Sequence, residues 1–271
     1  MRDQKKIRDS RLYLSGWFRH RILRQYLSLP VNRHGILLDV GGGSGNISYH
    51  FQNDFNSMIV VDISLNSLSQ LEQSLFEPVQ ADALALPVRD ESVDRIISVD
   101  FQEHLLPNQV LSMLKELHRV LKPGGICVVF TSCYGFSLRR VIYRLRGLPQ
   151  RGRLDWSDWA QDGHLNRLTP REHLLTTEAA GFQIRGHCYY GHFFDPLCRR
   201  FHQLIVRLYA SLNGTGKKNS EHLARKYRGG DRSFWVEFYF QTLILFAYLD
   251  KILLGRFPGS SIFMMLCKPF R

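Results

Sequence analysis

The chain has 271 residues, enough for one large domain or two small ones, and its 44% hydrophobic and 22% charged content is ordinary for a globular protein. A formal net charge of +12 points toward anionic partners (nucleic acid, anionic lipid headgroups or acidic substrates) and says nothing about fold. Five cysteines with no CxxC pair exclude a zinc-ribbon framework and fit a reduced intracellular chain with no metal site.

Residues 1–30 are rich in basic residues and lack an uninterrupted apolar run, so they read as a basic helical arm rather than a secretory signal. The next hundred residues alternate strand-length apolar runs with helix-length segments. ILLDV (36–40) is a strand and SGNISYHFQ (44–52) opens a helix. SMIVVDI (57–63) is a second strand, LNSLSQLEQS (65–74) a helix, PVQAD (78–82) a short third strand and VDRIISV (93–99) a fourth. In PNQVLSMLKELHRVL (107–121), Val110, Leu111, Leu114, Leu117, Val120 and Leu121 recur near a 3.6-residue period and predict an amphipathic helix. KPGG (122–125) stops it and ICVVFTS (126–132) is the fifth strand.

An arginine-rich stretch (139–153) follows, with Trp156 and Trp159 close behind. A helix starts at Thr169 with Pro170 at its first position and ends at Gly181, leading into a sixth strand. A helical insertion spans about 193–257, and SSIFMMLCK (260–268) is the seventh strand. Strands separated by helices imply right-handed crossovers and a mostly parallel α/β sheet.

The stretch LLDVGGGSGN (37–46) puts a glycine loop at the end of the first strand, where open α/β sheets bind ligands. A phosphate-binding loop needs Lys-Ser/Thr after its last glycine, but Asn46 and Ile47 follow Gly45. The dinucleotide fingerprint wants a small residue at position 46 and meets Asn46. The third pattern, acid-x-Gly-x-Gly-x-Gly, is Asp39, Gly41, Gly43 and Gly45. On the residues alone, Asp39 also serves as a turn acid, Asp62 as a helix cap and Asp82 as the acceptor of an Asx turn.

That third pattern resembles motif I of the class I S-adenosylmethionine (SAM) methyltransferases. QADALALPVRDESVDRII (80–97), LKELHRVLKPGGICVV (114–129) and GHLNRLTPREHLLTTEAAGFQI (163–184) resemble later segments of that superfamily, in its order. Together they run over residues 36–187 and lie closest to its small-molecule and lipid-methylating branch. The resemblance implies a Rossmann-like seven-stranded sheet, mostly parallel with the last strand antiparallel, helices on both faces and SAM as cofactor. It implies one methyltransferase domain over 31–271. Gly41, Gly43 and Gly45 would lie against the methionine part, with Asp39 helping to hold its ammonium. Asp62 would bind the ribose with Ile63 beside it, Asp82 and Ala83 would flank adenine, and Ser98 and Val99 would line the wall after the fourth strand.

Methyl transfer is in-line displacement at a sulfonium carbon, so the protein must mainly align the partners. A base is needed only where the nucleophile must lose a proton. Candidates are Asp100, Glu103 and His104 after the fourth strand, His164, and Tyr134 after the fifth; His104 and His164 are preferred because the family often carries histidine at these places. SVDFQEH (98–104) contains neither Pro-Pro-aromatic nor Pro-Cys, which argues against N-methylation of DNA adenine or cytosine and against a cysteine nucleophile for C5 methylation. An RNA-associated methyltransferase and a non-catalytic scaffold of this fold remain the alternatives. The expected acceptor is small and partly apolar or lipid-linked. SFWVEFYFQTLILFAYLDKILLGRF (233–257) is dense in aromatics and is expected either to cover the acceptor pocket, to dimerise or to face a membrane. With the basic clusters it suggests a cytoplasmic chain attached to an anionic membrane surface. Oligomeric state is left open.

Overall fold

The computed structural model describes residues 14–27, 35–134, 163–166, 168–191, 245, 249 and 251–270. Seven strands form one sheet: β1 (Ile36–Val40), β2 (Ser57–Asp62), β3 (Glu77–Gln80), β4 (Val93–Val99), β5 (Leu121–Ser132), β6 (Gln183–Tyr190) and β7 (Ser261–Cys267). Their order is β3-β2-β1-β4-β5-β7-β6. β1 pairs in parallel with β2 and β4, β2 with β3, and β4 with β5, whereas β7 runs antiparallel between β5 and β6. The expected architecture therefore stands, the last strand included. All parallel strands end on one rim, which β7 enters from the opposite direction.

Both faces of the sheet are covered, so its strands are apolar almost throughout. On one face Leu38, Val40, Ile96 and Val129 pack against α3 (Pro107–Val120), whose Val110, Met113, Leu114, Leu117 and Val120 form a buried stripe at helical spacing. On the other, Leu37, Val60, Ile97, Phe130 and Phe263 meet Ile22, Leu23 and Leu27 of α1 (Leu14–Leu27). Arg24 of α1 grips Asp54 with two nitrogens, at 2.9 and 2.5 Å, and donates to the His50 carbonyl at 3.2 Å. The helix thereby fastens the segment that follows the glycine loop.

Three elements differ from their sequence reading. After the loop there is only a turn and a 3-10 helix over Ser48–Phe51, because Gly41, Gly43 and Gly45 adopt left-handed φ (74°, 54° and 70°) and postpone helical geometry. The next helix, α2 (Leu65–Leu68), is one turn long. Ser69 Oγ and Gln70 Nε2 both donate to the Asn66 carbonyl, and the Gln70 amide turns to Ser67, so side chains take the acceptor that would extend the helix. KPGG follows the end of α3 as expected, but β5 begins before it, at Leu121 rather than at Ile126, and its register against β4 shifts there, Leu121 pairing Val93 and Ile126 pairing Arg95.

The helix predicted from Thr169 forms as α4 (Pro170–Ala179). Thr169 Oγ1 accepts from the Glu172 amide, and Glu172 Oε2 accepts from the Thr169 amide at 2.7 Å, a reciprocal cap. The arginine-rich stretch, the two tryptophans and most of the 193–257 insertion lie outside the described residues.

Candidate functional site

β1 and β2 end side by side, and their turns are joined atom by atom. The amides of Gly41 and Gly42 both donate to the Val61 carbonyl, at 2.8 and 3.2 Å. The Gly43 amide donates to Asp62 Oδ2 at 2.9 Å, while Asp62 Oδ1 accepts from the Ser64 amide at 2.8 Å. Ser64 itself caps α2, so Asp62 is not the helix cap that its position also allowed. A carboxylate has about four lone-pair sites, so two backbone bonds leave Asp62 further acceptor capacity.

The glycines of the loop have different physical reasons. A Cβ at Gly41 would fall 2.3 Å from the Phe101 ring, which follows β4 and packs against the loop. A Cβ at Gly43 would meet nothing nearer than Asp62 Oδ2 at 3.9 Å, so its left-handed backbone faces open space where a ligand can lie against the chain. Gly45 closes the turn by donating to the Gly42 carbonyl at 2.9 Å.

Asp39 lies beneath this loop, 2% exposed, and Ser48 Oγ donates to its Oδ2 at 2.5 Å. Burial pushes its carboxyl up to about 7; the Ser48 bond opposes the rise and the Asp62 charge adds to it. At the end of β2, Ile63 is 70% exposed and its carbonyl accepts from Gln80 Nε2 at 3.2 Å, while the Asp62 carbonyl accepts from the Ala81 amide at 3.2 Å. Asp82 is exposed and its Oδ1 accepts from the Leu84 amide at 2.9 Å, the Asx turn its sequence context allowed, while Oδ2 is not used by that turn. Ala83 is buried. Val99 is half-buried, but Ser98 is fully buried and its Oγ has no hydrogen-bond partner, so its hydroxyl faces the interior rather than open space.

The candidate bases sort themselves by contact. Asp100, at φ 53°, forms an ion pair with Arg19, whose guanidinium lies 4.4 Å above the Phe130 ring. Glu103 is 1% exposed and accepts from Thr131 Oγ1 at 2.9 Å, which anchors the turn to β5. His104 and His164, sixty residues apart, meet edge to face with ring centroids 5.2 Å apart. His104 Nδ1 is 3.0 Å from the Gly163 carbonyl. A carbonyl can only accept, so this contact assigns the ring proton to Nδ1 and leaves the lone pair on Nε2. Asn166, fully buried, holds the pair together by donating from Nδ2 to the carbonyls of Gln102 (2.7 Å) and Leu105 (3.1 Å), while the Leu165 amide donates to Glu103 O at 2.8 Å. Tyr134 contributes its amide to the Leu168 carbonyl, at 2.9 Å. Burial pushes the thiols of Cys127 and Cys133 up, away from the thiolate a cysteine nucleophile requires.

Sequence reasoning missed Phe101, Arg19, Ser48 and Asn166. Phe101 and Arg19 carry no local signal, because their partners Gly41 and Asp100 are distant in sequence.

Residues 38–129 match the family model described as a methyltransferase domain. This region is a methyltransferase domain of the class I SAM-dependent superfamily. The chain is 36% identical over 127 residues to a malonyl-[acyl-carrier protein] O-methyltransferase of Marinomonas sp., covering 44% of this chain and 46% of that relative. It is 32% identical over 167 residues to a ubiquinone/menaquinone biosynthesis C-methyltransferase of Coxiella burnetii, covering 54% of this chain and 66% of the other. The chain thus spans about half to two-thirds of the length of these relatives. The same superfamily fold recurs in a Haemonchus contortus phosphoethanolamine N-methyltransferase solved with SAM, at TM-score 0.62 and 16% identity, over 94% of this chain and 53% of that one.

Two outcomes test the candidate site. Because the folded state holds a proton on Asp39 that the unfolded chain releases near pH 4, stability falls as pH rises from about 4 to 7. Asp39→Asn is expected to remove that slope and to be about 2–4 kcal/mol more stable than wild type at pH 8, with little difference at pH 4, in urea titrations. Asn166→Ala is expected to lose about 1–3 kcal/mol and to turn the His104 ring from one tautomer into a mixture, read from its ring nitrogen shifts by NMR.

Proposed function

We propose that the chain transfers the methyl group of SAM to an O, N or C nucleophile on a small, partly apolar or lipid-linked acceptor. One arrangement carries this reading: an open glycine backbone at Gly43, bracketed by the carboxylates of Asp39 and Asp62, on the same rim as the His104–His164 pair. The residues fit the cofactor on their own chemistry. Asp62 has acceptor capacity for ribose hydroxyls, the exposed Ile63 offers a flat apolar contact for a base, and Asp39, its buried carboxyl pushed up to about 7, gives up its proton when a cation settles above it. A phosphate ligand fits poorly, since the carboxylates would repel it and the segment after the loop is a single 3-10 turn rather than a helix N-terminus.

Bound SAM supplies an activated methyl on a positively charged sulfur. The chain's part is alignment, and the loop, Phe101 and the β4 turn form the fixed surfaces for it. His104 Nε2, with its lone pair set by the Gly163 carbonyl, is the group that takes a proton from an acidic O–H, N–H or C–H acceptor. His164 packs edge to face against that ring and restricts its orientation. Relatives named for O-methylation of a carrier-bound malonyl group and for C-methylation in quinone biosynthesis support a small-molecule acceptor and leave the atom open.

The test is transfer of tritiated methyl from SAM into separate lipid, water-soluble small-molecule and RNA pools. Label is expected in the lipid or small-molecule pool, and His104→Ala should slow it by about 10²–10⁴-fold with SAM affinity unchanged. Label confined to RNA would overturn the acceptor class; SAM bound without transfer to any pool would favour the scaffold.

A further inference from the structure

We propose that the rim of the sheet beside β6 is a docking surface for an anionic lipid bilayer. Its apolar part is concentrated in thirteen residues: Leu245 is 57% exposed, Ile252 71%, Leu253 57% and Phe257 62%. Residues 245, 249 and 251–254 are helical, and on a 3.6-residue period Leu245, Ile252 and Leu253 share one face. Exposed large apolar side chains scattered singly are ordinary, but a cluster marks an interaction site.

The segment is fastened to the body of the fold from its other sides. Lys251 Nζ donates to Gln25 Oε1 of α1 at 3.1 Å, and Leu254 is half-buried. The Gly255 carbonyl accepts from the Tyr189 amide of β6 at 2.8 Å, and Ser260 Oγ donates to the Gly191 carbonyl at 3.1 Å. The patch is thus held where β6 ends and β7 begins. That is the rim on which β1, β2 and β4 also end, carrying the glycine loop and the histidine pair. β4 and β6 are three strand spacings apart, on the order of 15 Å.

Charge selects the occupant. Lys251 and Arg256 flank the apolar side chains on this rim, and α1, bonded to Lys251, adds Arg21. Arg21 and Arg256 are exposed. A second copy of a chain with net charge +12 would set cation against cation, whereas anionic headgroups complement this rim and accept shallow apolar insertion. Among the described residues no helix is long and apolar enough to cross a membrane, so the contact is interfacial. If the methyltransferase reading holds, docking by this rim turns the site toward acceptors that reside in the bilayer.

The test is co-sedimentation of the full chain with phosphatidylcholine vesicles, with and without phosphatidylglycerol. Binding is expected only with the anionic lipid, and it should weaken as ionic strength rises from about 0.1 M to about 1 M, where the Debye length shrinks from ~10 to ~3 Å. Ile252→Ser/Leu253→Ser/Phe257→Ser should weaken it about tenfold or more, and Arg256→Glu alone about fivefold. SAM binding, measured in parallel, should be unchanged in both variants and separates a failure of docking from a failure of the methyltransferase reading. Absence of wild-type binding to the anionic vesicles would overturn the proposal, as would equal binding by the triple variant. So would self-association of the wild type that the triple variant abolishes, since the patch would then be a subunit contact.

Discussion

The hydrogen bond from the Gly43 amide to the Asp62 carboxylate joins the two turns on which the site is built. It spans nineteen residues of sequence but only the gap between adjacent parallel strands. With both carboxylate oxygens held by backbone amides, Asp62 has one orientation, and the loop is drawn toward β2 while its left-handed backbone at Gly43 stays open. Burial is the main reason that the Asp39 carboxyl, although it accepts from Ser48, is pushed up to about 7, and the nearby Asp62 charge adds to the rise. In the proposed site, the Asp62 carboxylate and the readily ionised Asp39 under one glycine loop suit a ligand with positive charge and hydroxyl groups better than a phosphate.

The other half of the rim is organised by buried polar contacts rather than by apolar packing alone. Glu103 ties the turn after β4 to Thr131 of β5, and Asn166 ties residues 163–166 to that turn. Buried polar groups are costly when left unmade, so a satisfied network of this kind holds one geometry. Its product is the His104–His164 contact and a defined tautomer at His104. Arg19 and Arg24 of α1 close the opposite side through Asp100 and Asp54.

Much of the sheet was legible because period-two and unbroken apolar runs do not depend on distant contacts: ILLDV, VDRIISV and SSIFMMLCK each became a strand at the expected place. Asp39, Asp62 and the glycines were legible for the same reason, since a turn at a strand end is local chemistry. What was not legible depended on competition or on distance. LNSLSQLEQS has helical composition, yet Ser69 and Gln70 side chains capture the carbonyl that a second turn needs. KPGG reads as a helix stop, yet the strand already starts at Leu121, which pairs Val93, and Gly124 and Gly125 bond to the Lys268 backbone beyond β7. Phe101 against Gly41 and Asn166 against Gln102 join segments sixty and sixty-four residues apart in sequence, and no spacing rule encodes them.

The most direct measurement is titration calorimetry of SAM into the wild-type chain and into Asp62→Ala. Wild type is expected to bind with Kd below about 100 μM, and the variant at least about tenfold more weakly, because it loses the ribose acceptor and the loop tether together. Equal affinity in the two proteins, or no heat of binding to the wild type at millimolar SAM, would contradict the central claim that Asp62 and the glycine loop form the methyl-donor site.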